Sequence, residues 1–119
     1  MTAQSLLPSR AELLVRFGGD DDLLREIAGL LLRDCPRLLA ELHGALARGD
    51  FTTVQNTAHS LKGAIANVGA EPAVEAAYQV EQAARSRDES YIKSAAATLD
   101  EVLALLLAQL QALCQHESS

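Results

Sequence analysis

Apolar residues recur along this chain at intervals of three and four, and the intervals break at a few glycine, proline and aspartate positions. That period belongs to helices with one buried stripe. A short first helix is predicted from about Arg10 to Phe17, carrying Leu13 and Leu14 and stopping at Gly18-Gly19. Asp20, Asp21 and Asp22 then supply a cap and negative charge for the positive end of the next helix. That helix sets Leu24, Ile27, Leu31, Leu38 or Leu39, Leu42 and Leu46 in register. Pro36 falls inside it. A proline there removes one backbone hydrogen bond and crowds the preceding turn, so a kink or break is expected near Asp34-Cys35.

Gly49-Asp50 is a stop followed at once by a cap, and it opens a helix from about Phe51 to Val68 that ends at Gly69. Glu71-Pro72 opens another, with the proline tolerated in the first turn. It ends around Arg85 to Asp88, where Asp88 or Ser90 can cap the last helix. There Ile92, Ala96, Leu99, Leu103, Leu106, Leu110 and Leu113 alternate fours and threes without a break. One such helix among short connections fits a bundle better than a coiled coil. The expected fold is all-α, an up-down antiparallel four-helix bundle with a short extra N-terminal helix. The 119 residues make one domain, with frayed ends at about 1–8 and 115–119.

Composition supports this class. Hydrophobic residues make up 49% but aromatic residues 3%, so Leu, Ala and Val supply the bulk, as in interdigitating helices. The net charge of −6 repels phosphate backbones and anionic lipid, which argues against nucleic-acid and membrane-surface roles. No run reaches the roughly 18 uncharged apolar residues of a membrane span; the strongest stretch, Val102 to Cys114, is interrupted by Gln109 and Gln111. Met1 to Arg10 lacks the pattern of a secretory signal. Cys35 and Cys114 form no metal-ligand or CxxC spacing and read as reduced core or boundary residues. A cytoplasmic location is expected.

The helix from Phe51 to Val68 carries the candidate chemistry. At about 100° per residue, Val54, Ala58, Leu61, Ile65 and Val68 cluster in one direction and form its buried stripe. From the centre of that stripe Lys62 lies roughly 80° away, Ala66 about 120°, His59 about 140° and Gly63 about 180°. His59 is therefore expected in solvent, with Lys62 beside it on the helix surface. Gly63 costs about 1 kcal/mol relative to alanine in a helix interior, and nothing in the helical pattern asks for it. A face cleared of side chains lets another protein approach the imidazole. Imidazole, with an ordinary pKa near 6.5, is mostly neutral at cytoplasmic pH and then a good nucleophile. An exposed nucleophile, an adjacent cation and a cleared approach are what a phosphoryl acceptor needs.

His59-Ser60-Leu61-Lys62-Gly63-Ala64, followed by Asn67-Val68-Gly69-Ala70, resembles the signature of histidine-containing phosphotransfer (HPt) domains. The similarity runs from about Leu13 to Leu113 and takes in the Phe17-Gly18-Gly19-Asp20 turn and the Gly49-Asp50 joint. It implies a surface histidine phosphorylated on Nε2 by an aspartyl phosphate of a receiver domain, then dephosphorylated by a second receiver. On that resemblance His59 is the phosphoacceptor, Lys62 stabilises the phosphate and Gly63 gives the partner access, while Ser60 is helix surface. The implied partners are the receiver domains of a hybrid histidine kinase and of response regulators. No cofactor is bound by the chain itself, and Mg2+ is expected in the partner receiver. Family members often orient the histidine with a polar residue from the next helix; Glu81 and Gln82 are nearest in order, and neither is assigned that role.

His43 and His116 lack such neighbours and read as ordinary boundary and tail residues. Asp20 to Asp22 read as a helix cap, since no EF-hand spacing follows. The chain is expected to be a monomer and a phosphocarrier without kinase activity of its own. Two alternatives share parts of the pattern: the phosphoacceptor domain of a chemotaxis-type histidine kinase, and a non-catalytic helical adaptor.

Overall fold

Among the described residues, side-chain oxygens set four of the five helix starts. The structure, a computed structural model, describes residues 5–115. Ser9 opens α1 (Arg10–Arg16) as a capping box with Glu12. Asp20, Asp50 and Asp88 accept backbone N–H bonds at the starts of α2 (Asp21–Ala47), α3 (Phe51–Ala66) and α5 (Glu89–Cys114). Each such cap contributes about 1 kcal/mol. α4 (Glu71–Ser86) has no side-chain cap and begins with Pro72 in its first turn, where a missing N–H costs nothing.

Short joints make successive long helices antiparallel neighbours. α3 packs against α2 and α4, α5 packs against α4 and α2, and α1 leans on α2. The result is the up-down four-helix bundle with an added N-terminal helix. Val54, Ala58, Leu61, Ile65 and Val68 are all buried, as are Ile92, Ala96, Leu99, Leu103, Leu106 and Leu110. By length and composition alone α5 is apolar enough to cross a membrane, which a count of uncharged residues does not register. Its leucine seam is buried in the bundle.

Three expectations change. α2 passes through Pro36 without a break. Pro36 is exposed while Leu31, Cys35 and Leu42 on the inner face are buried, so core packing carries the helix across its lost hydrogen bond. The inner stripe of α2 also differs: Leu24, Ala28, Leu31, Cys35, Leu42 and Ala45 are buried, whereas Ile27, Leu38, Leu39 and Leu46 pack at its edge. Burial pushes the Cys35 thiol up to about 11, which keeps it inert. Finally, the N-terminal segment is ordered before residue 8. Leu6 is buried, and its N–H donates to Gln109 Oε1 at 2.9 Å. The expectations for residues 1–4 and 116–119, His116 among them, lie outside the described residues.

The end of α3 is fixed from α1. Arg16 donates from Nε to the Asn67 carbonyl at 3.2 Å and from Nη2 to the Ala66 carbonyl at 3.3 Å. Gly69 turns the chain with φ +65, and a Cβ there would lie 3.2 Å from Arg16 Cζ. The turn therefore needs glycine twice over, once for its backbone and once for the guanidinium resting on it. On α4, Ala73, Ala76, Ala77, Ala83 and Ala84 are buried. These small side chains let α3 and α4 pack closely, so a residue of one helix can lie beneath a residue of the other.

Pro36→Ala restores a backbone donor and removes a steric conflict that costs up to about 3 kcal/mol in a helix interior. It also frees the unfolded chain, which returns about 0.4–1 kcal/mol. The expected net gain is roughly 1–2 kcal/mol, read as a higher urea midpoint at unchanged slope. A lower midpoint would mean that the α2 backbone is built around the ring.

Candidate functional site

Between Asp50 and Glu71 the chain carries no carboxylate, so His59 and Lys62 are the titratable side chains of α3. Ala58 and Leu61 face the core, and that register turns His59 outward: its side chain is 67% exposed. Gly63 is exposed one turn further on, and a Cβ built there would meet nothing within 4 Å. Nothing inside the molecule requires a glycine at this point. Ser60 is exposed helix surface.

Beneath the imidazole lies a carboxylate from α4. Glu81 has a side chain only 7% exposed, and both of its oxygens are engaged. Oε2 lies 3.0 Å from His59 Nδ1, and Oε1 accepts from Lys62 Nζ at 2.7 Å. Arg85, one turn along α4, places Nη2 3.8 Å from Oε2. Lys62 Nζ also lies over the Tyr78 ring, 5.1 Å from its centroid. The lysine is thus held from two sides, by charge and by the ring face.

Burial by itself would push the Glu81 carboxyl up. Hydrogen bonds from Lys62 and His59, together with their charges, outweigh it and hold the group below its ordinary value. Glu81 is therefore ionised at neutral pH. An ionised carboxylate only accepts hydrogen bonds, so Nδ1 carries the ring proton and donates it toward Oε2. The Nε2 lone pair is left pointing away from the carboxylate, on an exposed ring. A neutral imidazole in this tautomer is a fixed, outward-facing nucleophile.

The structure brings His59 and Lys62 together on one carboxylate and leaves Gly63 as open ground beside them. Glu81 is the residue that the α3 pattern does not reveal. Its signal lies on α4, where it is a single charge among the buried Ala77, Val80, Ala83 and Ala84. Gln82, the other candidate by order, makes no hydrogen bond to the imidazole. His43 offers a contrast: its Nε2 lies 2.7 Å from Asp100 Oδ1. The nitrogen that is free in His59 is engaged there, and among the described residues Asp100 pairs with no lysine or arginine.

Comparison with known proteins gives the family and the fold. The profile of the Hpt domain family matches residues 26–116. The crystal structure of histidine-containing phosphotransfer protein B (HptB) from Pseudomonas aeruginosa PAO1 superposes with a TM-score of 0.85 at 23% identity, covering 97% of this chain and 99% of that one. At that identity the likeness speaks for the fold. No curated protein sequence matches.

The Glu81 shift has a consequence for stability. A carboxyl held below its ordinary value of 4.5 stabilises the fold above that pH, and the contribution disappears as pH falls through the depressed folded value. A urea-midpoint series taken downward from pH 5 should therefore fall more steeply for the parent than for Glu81→Gln. Parallel slopes would mean that the carboxylate is not held by its two partners in solution.

Proposed function

The chain belongs to the Hpt domain family, and from that membership we propose that it carries a phosphoryl group on His59 between two receiver domains. The observation that supports this reading best is the exposed imidazole whose Nδ1 is anchored on the buried Glu81 carboxylate. Nε2 attacks the phosphorus of an aspartyl phosphate on a docked receiver. The bond from phosphorus to the aspartyl oxygen breaks, and its electron pair leaves with the receiver's carboxylate.

As Nε2 gives its lone pair to phosphorus, the ring becomes positive. The Nδ1 proton stays in place, and the Glu81 carboxylate stabilises the new charge through it. Glu81 acts here as a positioning residue. Lys62 neutralises part of the charge on the arriving oxygens. The partner receiver brings the magnesium ion and lysine that this kind of transfer uses, so α3 and α4 need only present a nucleophile in line. Handing the group to a second receiver is the same step reversed. The chain acts as a phosphocarrier, with the phosphate arriving from one partner and leaving with another.

Gly63 fits this reading as open ground for the receiver. In the free chain Gly63→Ala removes a helix penalty of up to about 1 kcal/mol, and a Cβ finds room. The protein should become more stable and yet transfer more slowly. A leucine at the same place should cost about tenfold or more in rate, by holding the reacting atoms apart. If Gly63→Leu transfers at the parental rate, the site is not approached across this face.

The central test is labelling. Incubated with its phosphorylated receiver, the domain should gain an acid-labile, alkali-stable phosphate, and His59→Gln should gain none. Lys62→Ala should slow transfer or shorten the phosphohistidine lifetime while its circular dichroism stays parental. Equal labelling of parent and His59→Gln would overturn the assignment.

A further inference from the structure

The charges around His59 do not balance once a phosphoryl group is attached. Glu81 already places a buried negative charge against the ring. A bound phosphoryl group adds about two more at neutral pH, and these lie on the outer side of the same ring. Lys62 brings one positive charge, but Glu81 holds its ammonium at 2.7 Å, the Tyr78 ring covers it, and its side chain is 25% exposed. Lys62 can serve the phosphoryl oxygens only in part.

Arg85 differs in each respect. Its side chain is 57% exposed. The 3.8 Å from Nη2 to Glu81 Oε2 is an ion-pair separation and too long for a hydrogen bond. The oxygen it faces is the one bonded to His59 Nδ1, so the guanidinium stands no farther from the ring than those two separations combined. It is loosely held, close by, and carries a positive charge that is free to turn onto the phosphoryl oxygens. Its place one turn after Glu81, at the C-terminal end of α4, also gives it an ordinary role in helix stability. That role accounts for an arginine near the helix end. It does not account for one beside the imidazole.

We infer that Arg85 is a second phosphate-binding cation of this site, held near Glu81 while His59 is free and turned onto the phosphoryl oxygens when His59 is modified. The inference rests on His59 as the acceptor. In it, Glu81 keeps Lys62 and the imidazole fixed, and Arg85 supplies the charge that arrives with the phosphate.

The two claims separate in one experiment on the intact chain. His59 is phosphorylated with phosphoramidate, a small donor that needs no partner, and the purified phosphoprotein is followed by 31P resonance and by the rate of phosphate loss. If the parent shows no phosphohistidine signal dependent on His59, the functional reading fails before Arg85 is tested. Where that signal is present, Arg85→Gln should shift the 31P resonance and speed phosphate loss roughly three- to tenfold, and Arg85→Lys should restore most of the lifetime. The thermal midpoint, which reports the helix-end role, should move little in the lysine variant. An unchanged resonance and lifetime in Arg85→Gln overturns the inference. So does a loss that Arg85→Lys fails to restore, because a bound phosphate requires the charge and a packing role does not.

Discussion

One buried carboxylate organises the chemistry of this bundle. Glu81 is the point where two helices, a nucleophile and a cation meet, and its two oxygens divide the work between His59 and Lys62. A charge placed this deep is costly unless every lone pair finds a donor. The pairing that makes Glu81 tolerable is the same pairing that fixes the imidazole tautomer and directs Nε2 outward. The contacts that hold the buried charge are thus the same ones that orient the imidazole.

Everything else in the fold serves that juxtaposition. The alanines of α4 let it approach α3, and the Arg16 contacts with the Ala66 and Asn67 carbonyls fix where α3 ends. The Gly69 turn then sends α4 back along α3 in the register that places residue 81 under residue 59. α2 and α5 contribute no side chain to the site. Their part is the leucine core against which the two shorter helices are held.

Much of this could be read from the order of residues. The three- and four-residue spacing gave the helices and the inner faces of α3 and α5, because a long helix repeats its constraint often enough to be seen. His59, Lys62 and Gly63 were legible because all three lie on one helix, where position along the chain and direction in space are tied by 100° per residue. Glu81 was not legible in the same way. Its meaning depends on the register between two helices, which is set by the joint at residues 67–70 and by side-chain volumes on both faces, and no period within α3 encodes it. Pro36 does not break α2, for a related reason. Its local cost is real, but Leu31, Cys35 and Leu42 are buried on the opposite face and their burial outweighs one missing hydrogen bond.

Dividing the acceptor between α3 and α4 also bears on the life of the molecule before it is complete. A chain still being synthesised, or one whose α4 has come away, presents the same histidine with no carboxylate behind it and no fixed tautomer. On the proposed reading, such a chain would offer a phosphorylated partner only the imidazole of an ordinary peptide. With His59 as the proposed acceptor, competence would arrive together with the docking of the two helices, and tertiary structure would act as a checkpoint that keeps half-made molecules out of the relay.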